Sequence, residues 1–416
     1  MKNNFKKNFI WNVIGVFSIS LTSFIYSLIL VRLCELSVSG IWSYAFAVAC
    51  TAVTIASFGG RTFQVTDVKN ELSTYTYIKA RYLTVSIMFI VMILFALIKG
   101  FDVNKSLILV LLCLFKFVEE LSDVYYAILQ KNDRLYIVGK SMFLKSFINI
   151  IVFFIAILMT NSLLLAVISI LINNILFFYF YDRRNALKLG KIEKNTNSEM
   201  FKKYFKNNLI ICIVIFLSVY LVNCPKYLME IFLTESTQGI YNLLALPATT
   251  VTLIGSFLIN PMLVGISEDY KSGRTKKIKQ TSFKITGIIL LFGIIALIGG
   301  YLLGPFVMRV VYGLDLNIYL AEFCIMIVGC TFYTVSSILS TILVSTRNLL
   351  PQLVYNVLLS IFSYILCYFL VKNYSLQGAV YSYIIIMFIR FIIYVLMILF
   401  MKENKNEKKS FTLISE

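Results

Sequence analysis

Apolar stretches long enough to cross a bilayer follow one another along the chain, separated by short polar breaks. A spanning helix takes about 20 mainly apolar residues. Runs of this kind fall near residues 9 to 31, 38 to 60, 82 to 98, 106 to 129, 146 to 160, 162 to 181, 207 to 224, 238 to 260, 284 to 304, 318 to 345, 351 to 371 and 376 to 400. The pattern predicts an all-α integral membrane protein with about twelve spans, the fifth of them short. The first run exceeds a cleavable signal core and is followed by further spans, so it reads as a retained helix.

Charge gives these spans a direction. With the N-terminus inside, thirty Lys and Arg fall in the cytoplasmic segments and six in the outer loops, Arg32, Lys99, Lys105, Lys226, Arg309 and Lys372. Positive charge is retained on the cytoplasmic side, so both termini are expected there. The same distribution accounts for the net charge of +18 as topology and anionic-lipid contact, and no nucleic-acid surface is expected.

Composition narrows the chemistry further. Of 416 residues, 59% are hydrophobic and only 14% charged, with mean hydropathy +0.86. That leaves no room for a large soluble domain, and no G-x-x-x-x-G-K-[ST] loop is present to cradle a nucleotide. Histidine is absent, which removes imidazole acid/base and metal chemistry. The eight cysteines lie in or beside apolar segments without a C-x-x-C pair and read as small buried hydrophobes. No cofactor, metal site or catalytic residue is expected. Glu268, Asp269 and Asp315 are the only acidic groups in well-exposed later loops, and no outer loop carries a D-x-D pair.

The longest polar stretch, residues 182 to 206, contains 11 charged positions in 25. It divides the sequence into a lobe over 1–181, a basic cytoplasmic linker over 182–206, a second lobe over 207–401 and a cytoplasmic tail over 402–416. A weak repeat agrees: Lys7-Asn8 precedes Gly40-Ile41-Trp42 by the interval that separates Lys206-Asn207 from Gly239-Ile240-Tyr241. Repeats of this kind are a transporter signature, with the substrate site between them.

Candidate chemistry concentrates in the fourth run, where Lys116, Glu119, Glu120 and Asp123 interrupt apolar sequence at helical spacing. Ionisable groups at membrane depth usually face a bundle interior or a wet cavity, and Lys116 can reach Glu119 or Glu120 on one stripe. The stripe is expected to face a cavity between the lobes, with the three carboxylates as candidates for ion or proton coupling. Arg390, central in the last run, either pairs with a carboxylate or snorkels. Arg32 and Lys226 follow the first helix of each half and Arg61 follows the second helix behind Gly59-Gly60. With Lys116, they are candidate substrate contacts, since Arg forks and Lys charges match phosphate oxygens; interfacial anchoring is the plainer reading for each. Pro225, Pro247, Pro261, Pro305 and Pro351 all lie in the second half and read mainly as static breaks. Trp11, Trp42, Tyr26, Tyr44 and Tyr126 have faces suited to sugar rings, although core packing and interfacial belts account for most aromatics here.

Several strings carry a family resemblance: Asn8-Phe9-Ile10-Trp11-Asn12, Gly40-Ile41-Trp42, Arg61 through Asp67, Asp123-Val124-Tyr125-Tyr126 with Gln130-Lys131 and Arg134, and Asn223-Cys224-Pro225-Lys226-Tyr227. In order and spacing, the chain resembles the bacterial Wzx-type oligosaccharide flippases, the O-antigen and capsule exporters of the multidrug/oligosaccharidyl-lipid/polysaccharide exporter superfamily. Lys226 stands where the family often has Arg, which weakens a bidentate phosphate contact there. The resemblance implies two six-helix lobes around a central cavity in the bacterial cytoplasmic membrane. It implies movement of undecaprenyl-pyrophosphate-linked oligosaccharide to the outer leaflet by alternating access, without ATP. Lipids, a coupling cation (H+ or Na+) and the polymerase and glycosyltransferases of the same pathway are the partners it implies. A drug/cation antiporter of the same superfamily would share the architecture. A membrane-bound polymerase or glycosyltransferase is disfavoured, because the longest loop here is cytoplasmic and Lys-rich.

Overall fold

The computed structural model describes residues 2–66, 72–189, 198–259, 262–313, 317–346 and 349–401. Asp67, Pro261, Asp315, Arg347, the middle of the basic stretch and the tail over 402–416 lie outside the described residues. Among those described, regular structure is entirely helical. In hydrocarbon every backbone N–H and C=O must be satisfied within the segment, and a helix does this without a partner.

The first half contains α1 (Lys2–Leu33), α2 (Leu36–Ser57), the short α3 (Gly60–Thr66), α4 (Thr74–Lys99), α5 (Val103–Lys131), α6 (Leu135–Thr160) and α7 (Leu163–Phe177). From α7 the chain runs on through a π-helical turn (Phe178–Arg183) into α8 (Arg184–Leu187). Local chemistry sets the boundaries. Ser73, Asp102 and Ser162 cap α4, α5 and α7 by accepting a backbone N–H three residues on. Gly100 ends α4 in the left-handed conformation. Phe58, Gly59 and Gly60 all have positive φ and break the chain between α2 and α3.

Later come α9 (Ser198–Phe232), α10 (Glu235–Ile259), α11 (Leu263–Lys271), α12 (Thr275–Tyr312), α13 (Leu320–Ser345) and α14 (Leu350–Leu399). Ser375 has non-helical angles (φ 52°, ψ −127°) and divides α14. Gly378 sits against the backbone of Leu370, whereas residues eight apart in a continuous helix are about 12 Å apart. The chain therefore reverses here, and α14 is two helices, as the eleventh and twelfth apolar runs predict. With this division the described residues hold twelve long helices. Nine stretches satisfy length and apolarity for a span; α5, with its charges, and α10 are outside that set, and α14 enters it undivided. The chain is a multi-pass membrane protein.

Two helical boundaries differ from the hydropathy pattern. The fifth span begins at Leu135, not near 146, because Lys140 and Lys145 are inside α6. The sixth continues to Leu187, which takes Asp182 into the helix and buries it completely.

The helices pack as two compact units, one comprising residues 1–223 with 234–239 and the other 224–233 with 240–416. In the first, α1 lies along α6, and their backbones meet at Gly15 and Gly139, where a methyl group would overlap the other helix. Gly40 and Gly239, the two glycines of the sequence repeat, likewise meet the backbone of Glu235 and Leu36. The repeat thus marks a close approach of two helix starts. In the second unit, Ile278, Ile285 and Ile289 of α12 pack with Val335, Leu339 and Ile342 of α13 and Tyr394 of α14. Exposed large hydrophobics such as Ile90, Leu97, Leu291, Leu302, Leu358 and Ile361 form the surface a bilayer would cover.

Candidate functional site

The charges of α5 are divided among several partners. Lys116 Nζ donates to Glu119 Oε2 at 2.8 Å, one turn along the same face. The ammonium also lies over the rings of Phe46 and Phe115, at 5.0 and 5.5 Å from their centroids. Glu120 turns the other way and accepts from Arg81 of α4 at 2.5 Å. Arg81 is 3% exposed and also donates to the Ala56 carbonyl at the end of α2. Asp123 lies between two guanidinium groups, 3.7 Å from Arg61 and 3.8 Å from Arg81. Both distances suit ion pairing but are too long for a hydrogen bond. Arg61 directs its Nε to Gln130 at 2.8 Å.

A second cluster adjoins the first. Lys145 of α6 donates to Asp182 at 2.9 Å, to Tyr126 Oη at 3.2 Å and to Ser122 Oγ at 3.4 Å. Asp182 also accepts from Ser141 and Tyr126. Bare charge at this depth would cost several kcal/mol, and the pairing with three hydrogen bonds offsets it. The π-helical turn that ends the sixth span carries Asp182 to this position.

Between α1, α2, α5 and α6 lies a cavity of about 390 Å³, within the volume range of small-molecule sites. Its walls belong wholly to the first unit. Lys116, Glu119, Glu120 and Asp123 all line it, facing the hydroxyl-rich side of α1 and, from α6, Lys145 and Asn149. Among the described residues no group of His, Cys, Asp and Glu is arranged to hold a metal ion.

Of the remaining sequence candidates, Arg61 lies behind the cavity through Asp123. Arg32 is exposed in the last turn of α1, and Lys226, in the second unit, donates to Asn242 at 3.3 Å. Neither lines the cavity. Arg390 is buried with its guanidinium near the rings of Tyr333 and Tyr394, 5.6 and 5.5 Å from their centroids. Asp269 is held by Arg274 and Lys277. The residues that sequence reasoning passed over are Arg81, Lys145 and Asp182. Each stands at the edge of an apolar run, where the hydropathy pattern alone assigns it to a loop. A lone charge within one further turn of such a run was the available signal.

No family model matches the chain. The capsular polysaccharide biosynthesis protein CapF of Staphylococcus aureus is 24% identical over 398 residues, covering 95% of this chain and 98% of CapF. Among solved structures, the lipid II flippase MurJ in an inward closed conformation superposes with TM-score 0.68 at 14% identity, covering 96% of this chain and 87% of MurJ. The MATE multidrug transporter DinF-BH superposes with TM-score 0.69 at 12% identity, covering 97% of both chains. The chain therefore has the fold that MurJ and the MATE transporters share, as its resemblance to the exporter superfamily implies, and a distant relative along its whole length in capsular polysaccharide biosynthesis.

Proposed function

We propose that this protein moves undecaprenyl-pyrophosphate-linked oligosaccharide repeat units from the inner to the outer leaflet of the bacterial cytoplasmic membrane by alternating access, with both termini cytoplasmic. The observation that carries the reading is the match to CapF over nearly the full length of both chains, on a fold like that of the lipid II flippase. The physical need is plain: a pyrophosphate and its sugars cannot enter hydrocarbon unaided, because each polar group would lose its partners. A hydrated, polar passage removes that barrier while the polyprenyl chain stays in the bilayer.

Arg61 and Lys116 would reach a headgroup only by giving up Asp123 and Glu119. Arg32 and Lys226, outside that network, are the other candidates for that contact. Glu119, Glu120 and Asp123 are the candidates for coupling to a proton or sodium gradient. The reading retains lobes over 1–181 and 207–401. A drug/cation antiporter is the second reading, favoured by the superposition on DinF-BH.

The test is a deletion strain with intact glycosyltransferases and no second flippase, assayed for the leaflet position of the undecaprenyl-linked glycan. Accumulation in the inner leaflet, reversed by the wild-type gene, is expected. Normal arrival outside, together with new sensitivity to a toxic cation, would move the antiporter ahead.

A further inference from the structure

The cavity of the first unit has its charges paired with one another and keeps hydrogen-bond acceptors open. Four carboxylates (Glu119, Glu120, Asp123, Asp182) are matched by four cations (Lys116, Arg81, Arg61, Lys145) through the pairs described above. Lys145 has three N–H groups and three oxygen acceptors. Lys116 gives one of its own to Glu119, and its ammonium lies over two aromatic rings. On α1, Ser20, Thr22 and Ser23 direct their hydroxyl protons to carbonyls of their own helix, so their lone pairs remain. Asp123 is too far from either arginine to be hydrogen-bonded by it. Tyr26, which also lines the cavity, is 3% exposed, and its buried hydroxyl has no hydrogen-bond partner among the described residues.

A site built this way selects a ligand rich in donors. An anion would meet Asp123 and Glu119, while each lining cation is already paired with a carboxylate. We propose that this cavity binds a neutral, hydroxyl-rich sugar ring, with Asp123 accepting from sugar hydroxyls and Tyr26 Oη completing the contact, and that it rejects acidic sugars. The inference rests on the flippase reading for the ring being part of the translocated glycan. Binding is nevertheless read without transport, so either idea can fail alone.

Trp42 provides the signal. It is one of two tryptophans, lies 5.3 Å from the Tyr26 ring and stacks on Phe46, which lines the cavity. The full chain carrying Trp11→Phe, purified in detergent, is titrated with glucose, galactose and N-acetylglucosamine, and separately with glucuronate and sodium chloride. A saturable change in Trp42 emission with at least one neutral sugar, absent with glucuronate, is expected. Tyr26→Phe should raise the apparent Kd about fivefold, a typical effect for one neutral hydrogen bond, and Asp123→Asn about tenfold or more, as for a charged one. Unchanged elution volume and melting temperature serve as the check that Tyr26→Phe is folded. Response to glucuronate or sodium alone, no response to any probe, or an unchanged Kd in folded Tyr26→Phe would each overturn the proposal.

Discussion

Asp182→Asn isolates what the buried pair of the first unit contributes. The substitution keeps shape and removes one charge. It leaves the Lys145 ammonium, in a residue 6% exposed, facing neutral oxygens only. Breaking a buried pair by removing one partner costs about 3–5 kcal/mol, because the remaining charge is uncompensated. In a cooperative unit of this size each kcal/mol lowers the melting temperature by about 2–4 °C, so a fall of roughly 6–20 °C is expected. Replacing both groups by apolar ones, Lys145→Met with Asp182→Leu, removes the stranded charge and should recover most of the loss, since apolar substitutes for a buried pair are often neutral or better. The assay is thermal unfolding of the detergent-purified protein, followed by the soluble fraction on size-exclusion chromatography. A fall below about 2 °C for Asp182→Asn, or a double variant less stable than the single one, would refute the reasoning.

Other consequences can be checked in the same preparation. Gly139→Ala places a methyl group into the Trp11 backbone and should lower the melting temperature by several degrees or abolish expression. Gly299→Ala, with nothing within 4 Å, should be neutral or stabilising by about 0.5–1 kcal/mol through helix propensity. Cys34 lies between the first two spans, and burial pushes its thiol pKa above the ordinary value. The thiolate fraction is then depressed near neutrality, so maleimide labelling at pH 7 should be slower than for a free thiol and should keep rising with pH beyond the point where a free thiol levels off. For the orientation, a cysteine placed at Lys99 in a cysteine-free background should react with an impermeant reagent from outside and one at Lys188 should not; the opposite pattern contradicts the charge-based topology.

How far the sequence reached is clearest at α5. Spacing alone placed Lys116, Glu119, Glu120 and Asp123 on one helix face, and all four line one cavity. Spacing left Lys116 with a choice between Glu119 and Glu120, because both are within a turn; the structure resolves it, since Arg81 takes Glu120 from another helix. Hydropathy gave a helix for each apolar run but ended the runs too soon at Lys145 and Asp182. A charge lowers the window average whether or not it has a partner, and each of these two is the other's partner. The Gly40 and Gly239 repeat was visible as a string, while its cause, close backbone approach, exists only in three dimensions. Nor does a string reveal that the hydroxyls of α1 and the charges of α5 and α6 surround a cavity within one unit, because that depends on which helices are neighbours.

The central claim is transport of a lipid-linked sugar, and its most direct measurement is made in vesicles. The purified chain is reconstituted into liposomes with an undecaprenyl-pyrophosphate-linked oligosaccharide in both leaflets, and a membrane-impermeant glycosidase is added outside. In protein-free vesicles only the outer-leaflet share is cleaved. With the protein present, cleavage is predicted to proceed beyond that share as inner-leaflet substrate crosses, and Asp123→Asn is predicted to slow the second phase while leaving reconstitution unchanged. A cleaved fraction equal to that of protein-free vesicles, under every imposed proton or sodium gradient, would contradict the account.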